Sequence, residues 1–195
     1  MRIGILGGAF DPVHRGHLRL ARAAQRSLRL DRLLLIPTRV SPHKRRTRVA
    51  PPRHRLRMLE LSVRDLAGLD VCDLELRRAG RSYTVDTLRI LRRRRPRADW
   101  FIVIGADNAA ILDRWKRIDR LADWATFAVV ERPGVRRKPP RVPGLRVRTI
   151  PMASWPHSSS EIRDRVRKGL PVGNLVPPPV ADYIIRHKLY GARPR

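Results

Sequence analysis

The chain opens Met1-Arg2-Ile3-Gly4-Ile5-Leu6-Gly7-Gly8-Ala9-Phe10-Asp11-Pro12-Val13-His14-Arg15-Gly16-His17-Leu18, and this stretch decides the fold. The short apolar run Ile3 to Leu6 reads as a strand that feeds into a glycine turn. A helical pattern follows, so the stretch is a strand, turn and helix of the kind that binds phosphate in α/β proteins. Gly7 and Gly8 let backbone N–H groups approach an anion, and the helix beginning near Gly16 points its positive end at the same spot. His14 and His17 lie three residues apart across that turn, which allows both imidazoles to face one pocket. Neither a Walker pattern nor a Gly-x-Gly-x-x-Gly fingerprint is present, which excludes an ordinary P-loop and a dinucleotide turn.

Outward from this unit, strand and helix patterns alternate. Further strands are predicted at Leu33 to Ile36, Val71 to Leu76, Trp100 to Ile104, Thr126 to Val130 and Arg146 to Ile150. Helices are predicted over Leu18 to Leu30, Arg53 to Ser62, Thr84 to Arg94 and around Asn108 to Leu121. This order predicts an α/β fold: a doubly wound parallel sheet whose ligand lies beyond the carboxyl ends of the strands. A short C-terminal helical segment follows, with helices expected from Ser159 to Lys168 and from Val180 to His187. One domain is expected over 1–195, with a core over 1–155 and the helical part over 156–190.

Composition narrows the function. With 42% hydrophobic residues the chain is long enough and apolar enough for a real core. No run of about 18 apolar residues occurs, and the chain starts on a strand instead of a signal peptide; a cytoplasmic protein without a membrane partner is expected. A single cysteine, Cys72, excludes an internal disulfide and a cysteine metal cluster. The formal net charge is +27, yet only five of the 44 basic residues are lysine and the arginines are scattered through helices and turns. That scatter reads as solvated faces, and with 5% aromatic residues there are few platforms for stacking bases, so nucleic acid is a poor candidate partner. A positive field does favour small polyanions. Two basic, proline-rich loops, Pro37 to Pro52 and Arg132 to Pro143, are expected to move when empty.

A second phosphate element stands near the C-terminus, at Ser158-Ser159-Ser160-Glu161-Ile162-Arg163. Ser158 and Glu161 have the spacing of a capping box, while the serine hydroxyls and helix amides offer donors to an anion. Arg163, on the next turn, has a guanidinium suited to bidentate phosphate binding.

His14-Arg15-Gly16-His17 resembles the His-x-Gly-His mark of the nucleotidyltransferase superfamily, and the serine element with Arg163, about 140 residues later, resembles its second phosphate site. Further segments narrow the resemblance: Ile36-Pro37 with Ser41-Pro42-His43-Lys44, then Arg81-Ser82-Tyr83-Thr84-Val85-Asp86-Thr87-Leu88, and Ile104-Gly105-Ala106-Asp107 with Leu112 and Trp115. Together with Tyr183-Ile184-Ile185-Arg186-His187-Lys188-Leu189-Tyr190 they resemble the bacterial nicotinate mononucleotide adenylyltransferases, over nearly the whole chain. The resemblance implies a Rossmann-like fold and transfer of the adenylyl group of ATP, with Mg²⁺, to nicotinate mononucleotide. The products would be deamido-NAD and pyrophosphate, formed by direct attack in the synthesis of NAD.

By the same resemblance His14, His17 and Arg163 are the expected catalytic residues. ATP is expected to meet Gly7, Gly8, Phe10, His14, Gly16, His17, Gly105, Asp107, Ser159 and Arg163, and nicotinate mononucleotide to meet Lys44, Thr84 and Trp115. No set of protein metal ligands is expected, because the cation comes with ATP. Trp100, Trp124 and Trp155 are read as packing residues and Asp86 as a helix-orienting one. Ala9, His157, Ser160 and Ile111 depart from the usual family residues. Pantetheine-phosphate adenylyltransferase shares the His-x-Gly-His logic but is shorter and lacks the Ser82 to Leu88 and Gly105 to Trp115 segments. The sequence fixes no oligomeric state and is compatible with a homo-oligomer.

Overall fold

Side chains alternate between the two faces of a strand, and here both sets are apolar, which is the pattern of strands covered on both sides. A computed structural model describes residues 1–42, 49–131, 141–153 and 155–192. Its sheet has six strands, β1 (Arg2–Gly8), β2 (Arg32–Pro37), β3 (Leu69–Val71), β4 (Asp99–Gly105), β5 (Ala125–Glu131) and β6 (Val147–Pro151). They are all parallel, in the order β3-β2-β1-β4-β5-β6. This is the doubly wound arrangement, and the order reverses between β1 and β4, where a crevice opens at the carboxyl ends.

The helices are α1 (Arg15–Ser27), α2 (Pro52–Val63), α3 (Leu74–Arg77), α4 (Thr84–Arg94), α5 (Ala106–Ala109), α6 (Ile118–Trp124), α7 (Ser159–Arg167) and α8 (Pro178–Arg186). One core lies under α1, α2, α7 and α8, where Leu6, Leu33, Leu35 and Val103 meet Ala21, Met58, Ile162 and Ile184. The other lies under α4 and α6, where Ile3, Ile5, Ile102 and Val129 meet Leu88, Leu91 and Leu121. Small buried residues of α1, Ala21 and Ala24, let that helix sit close to the sheet. No helix of the described residues is long and apolar enough to cross a membrane.

Three expected boundaries move. Helix α1 begins at Arg15 instead of Leu18, and after Ser27 the chain turns through Arg29, whose φ is 48°. The strand expected over Val71 to Leu76 ends at Val71, because Asp73 starts the one-turn helix α3 and its carboxylate accepts from Nε of Arg77 at 2.7 Å. The helix expected around Asn108 to Leu121 divides into α5, a 3-10 turn (Leu112–Arg114) and α6, since Arg117 adopts a left-handed conformation with φ 52°. Non-glycine residues enter that region at a conformational cost, so a continuous helix is broken there.

Helix α3 also buries a carboxylate. Glu75 accepts from the Thr87 hydroxyl at 2.7 Å through Oε1, while Oε2 has no hydrogen-bond partner. Burial therefore pushes the Glu75 pKa above its usual value, with Thr87, Ser82 and Arg78 working against it. A carboxyl raised on folding stays protonated where the unfolded chain has already ionised. Its stabilising contribution is present at low pH and is lost as pH rises from the ordinary glutamate range through the folded value. Glu75→Gln is expected to raise Tm at pH 8 by on the order of a few degrees and by less at pH 5, as read by calorimetry across that range.

Candidate active site

The turn after β1 leads directly into α1, so the helix N-terminus faces the crevice. An ideal Cβ built at Gly7 or at Gly105, at the ends of β1 and β4, meets nothing within 4 Å. These two backbones therefore border open space between neighbouring strands. At Gly8 the same atom comes within 3.1 Å of the Phe10 ring, which is buried against it and meets the His17 ring edge-on at 5.0 Å. Phe10 itself has φ 48°, so the turn is held in a conformation its side-chain packing must stabilise.

His14 is the N-cap of α1, and its ring lies 3.7 Å from that of His17, centroid to centroid. The backbone N–H of His14 donates to Nδ1 of His17 at 3.2 Å. That nitrogen is therefore an acceptor, and the proton of the neutral His17 ring sits on Nε2. The two imidazoles are thus adjacent at the start of α1.

The second element converges on the same turn. The Ser159 hydroxyl donates to the Pro12 carbonyl at 3.0 Å, and Nη1 of Arg163 donates to the Asp11 carbonyl at 2.8 Å. Another nitrogen of Arg163 reaches the Ser160 hydroxyl at 3.1 Å. Ser158 caps α7 by accepting from the Glu161 N–H, but the Glu161 carboxylate contacts His157 Nδ1 at 2.8 Å instead of closing the box.

Sequence reasoning missed what holds this turn. The Asp11 carboxylate is buried; its Oδ1 accepts from the Tyr190 hydroxyl at 2.7 Å and from the Ala50 N–H at 3.0 Å. Its Oδ2 lies 3.7 Å from Arg163. Arg55, buried in α2, donates to the carbonyls of Ala9 at 2.7 Å and Ala50 at 3.0 Å. Burial lowers the Arg55 pKa, with Asp11 opposing, and raises that of Tyr190 far beyond the usual phenol range, with Asp11 adding to the rise. Tyr190 therefore remains a donor. The one sequence signal available was an aspartate set among Phe10, Pro12 and Val13.

Trp155 is also close by. Its indole lies on α1 so tightly that a Cβ at Gly16 would fall 2.3 Å from it, with the Arg19 guanidinium 4.7 Å from the ring centre. The expected packing role of Trp155 thus places it beside His14, whose ring stacks nearly parallel at 6.5 Å.

Segments that carry other expected contacts are tethered at the same end of the sheet. Thr38, following β2, donates its N–H to the Gly8 carbonyl at 2.9 Å, and Arg39 N–H donates to the Ser82 hydroxyl at 3.0 Å. These bonds bring Thr84, the first residue of α4, to the same end of the sheet. Asp86 on α4 pairs with Lys116 at 3.2 Å, which draws the Trp115 segment toward Thr84. The Trp115 ring meets Phe127 edge-on at 6.1 Å and is half-buried. Asp107 lies exposed in α5, just past β4. Lys44 lies outside the described residues.

Two substitutions test this geometry. Tyr190→Phe removes a donor to a buried carboxylate and is expected to destabilise by about 1–3 kcal/mol in chemical denaturation. Gly16→Ala forces the Trp155 indole off its seat and is expected to destabilise by about 1–3 kcal/mol in the same assay.

Known proteins match this chain throughout. A family model described as cytidylyltransferase-like matches residues 5–165. A probable nicotinate-nucleotide adenylyltransferase of Geobacillus kaustophilus is 42% identical over 98% of this chain and 87% of its own length. One of Exiguobacterium sibiricum is 40% identical over 97% of this chain and 99% of its own. The fold also resembles a Plasmodium falciparum nicotinic acid mononucleotide adenylyltransferase complexed with NaAD, with a TM-score of 0.80 at 20% identity over 98% of both chains. A match spanning both converging elements, at this identity to full-length relatives, shows that the chain belongs to the nicotinate-nucleotide adenylyltransferase family of cytidylyltransferase-like proteins.

Proposed function

We propose that this protein transfers the adenylyl group of ATP to nicotinate mononucleotide, releasing deamido-NAD and pyrophosphate. The observation that carries the reading is the convergence of two helix N-termini, α1 with His14 and His17 and α7 with Ser159 and Arg163, on one turn beside an open crevice. The names of the relatives support the choice of substrates.

In this reaction a phosphate oxygen of the mononucleotide attacks the α-phosphorus of ATP in line, and the bond to pyrophosphate breaks. No protein nucleophile is required; the chain aligns two polyanions and neutralises charge in the transition state. Backbone N–H groups near Gly7, Gly8, Phe10 and Gly16 face the phosphates. The Phe10 ring is buried, so it acts by holding His17 and the turn in place. Nε2–H of His17 donates to the α-phosphate and the departing group, with His14 beside it. Ser159 and Arg163 close the other side of the triphosphate. Asp107, past Gly105, accepts from the ribose hydroxyls. Thr84 and Trp115 hold the nicotinate ring, the hydroxyl toward its carboxylate and the indole against its face, and Lys44 binds the mononucleotide phosphate.

The donor set suits a cation that arrives on phosphate. His17, Ser159 and Arg163 are hydrogen-bond donors suited to phosphate oxygens, and the carboxylate at the turn, Asp11, already accepts two hydrogen bonds. Mg²⁺ keeps several waters and is commonly held by substrate phosphates, where it supplies charge neutralisation.

Mixing ATP and Mg²⁺ with each candidate mononucleotide and detecting pyrophosphate tests the proposal: release is expected with nicotinate mononucleotide and a lower kcat/KM with the amide. Equal kcat/KM for both would remove the specificity argument. His17→Ala is expected to lower kcat about 100–1000-fold while circular dichroism stays unchanged. Turnover near that of the native protein would reject the role given to His17.

A further inference from the structure

A second candidate site lies at the opposite end of the sheet. Ile3 precedes Gly8 by five residues on β1, which at roughly 3.3 Å per residue separates the two ends by about 16 Å. There, between the end of α4 and the starts of β1, β2 and β4, and bounded on its far side by the end of β3 with Cys72 and Asp73, is a cavity of about 350 Å³. Its apolar wall is made of Ile3, Leu34, Leu91 and Trp100, all from the core beneath α4.

Charge around the cavity is unbalanced. Arg32 at the rim is paired with Asp70 at 3.5 Å, and Asp73 is paired with Arg77 at 2.7 Å. Arg94 and Arg95 also line the cavity, and neither has an ion-pair partner among the described residues. They stand at the C-terminal end of α4, where the helix dipole favours cations, so the positive charge is at home there. An apolar wall with two uncompensated guanidinium groups at its mouth is complementary to a flat apolar ring that carries a negative group. The volume is sufficient for a two-ring body with one phosphate.

We propose that this cavity is a binding site for a small aromatic anion, its ring against Trp100 and Leu34 and its anionic group between Arg94 and Arg95. The site is separate from the crevice at the carboxyl ends of the strands and does not depend on the reaction proposed there. No function beyond binding is assigned to it.

The probe is 1-naphthyl phosphate, titrated calorimetrically into the intact protein, with uncharged 1-naphthol as the control. Saturable binding at one site is expected for the phosphate, and binding at least tenfold weaker for naphthol. The double variant Arg94→Ser, Arg95→Ser, altered only at exposed positions, is expected to bind the phosphate at least tenfold more weakly while retaining pyrophosphate release. Absence of binding, naphthol binding as tightly as the phosphate, or equal affinity in the variant would each overturn the proposal.

Discussion

One buried carboxylate sets the geometry of the crevice. Asp11 lies in the turn between β1 and α1, and it gathers groups that the chain supplies from three distant places: Ala50 before α2, Arg163 on α7 and Tyr190 near the C-terminus. Removing a carboxylate from water is costly unless its oxygens are hydrogen-bonded and opposed by positive charge. Here Oδ1 has two donors and Arg163 lies beside Oδ2, so the charge is tolerated where it is. In a chain with an excess of 27 positive charges, this negative one is the pin on which the loop, two helices and the C-terminal turn are fixed.

The consequence for chemistry is preorganisation. A donor aimed at a developing charge is effective only if it need not reorient during the reaction. His17 is held at Nδ1 by the His14 N–H and on its ring by Phe10, and Phe10 belongs to the turn that Arg55 grips through the Ala9 carbonyl. Arg163 is likewise tied to the Asp11 carbonyl, so its guanidinium faces the turn instead of the solvent. Rigidity in the turn is thus transmitted to the side chains that matter on the proposed mechanism.

Most of the sheet was legible because a strand covered on both faces leaves an apolar run of fixed length bounded by turns, and four such runs, at Ile3 to Leu6, Leu33 to Ile36, Trp100 to Ile104 and Thr126 to Val130, lie in order, while the short β3 (Leu69–Val71) leaves none. The two helix starts that converge on the turn were legible too, from the order in which histidine, glycine and serine stand before them. The network behind them was not. Arg55 sits in a helix carrying two other arginines, Arg53 and Arg57, and nothing local distinguishes the one that is buried. Its partner in the turn, Ala9, lies 46 residues away, and Tyr190 and Asp11 are 179 residues apart, beyond the reach of any periodicity. The broken helix after β4 was hidden for a different reason: a left-handed arginine at 117 carries no compositional sign.

The glycines of the opening motif divide by what they face. At Gly7 and Gly105 an added methyl would project into the crevice, so the absence of a side chain there serves whatever enters it. At Gly16 the methyl would meet an indole from the segment before α7, so glycine there serves the protein's own packing, joining the start of α1 to the approach to α7. The reading of Gly16 as a residue that merely lets the helix start near phosphate is therefore incomplete. Its hydrogen also sets how closely Trp155, and with it the chain leading to Ser159, can approach His14. A motif glycine expected to address the ligand is here also a condition for the two converging segments to meet.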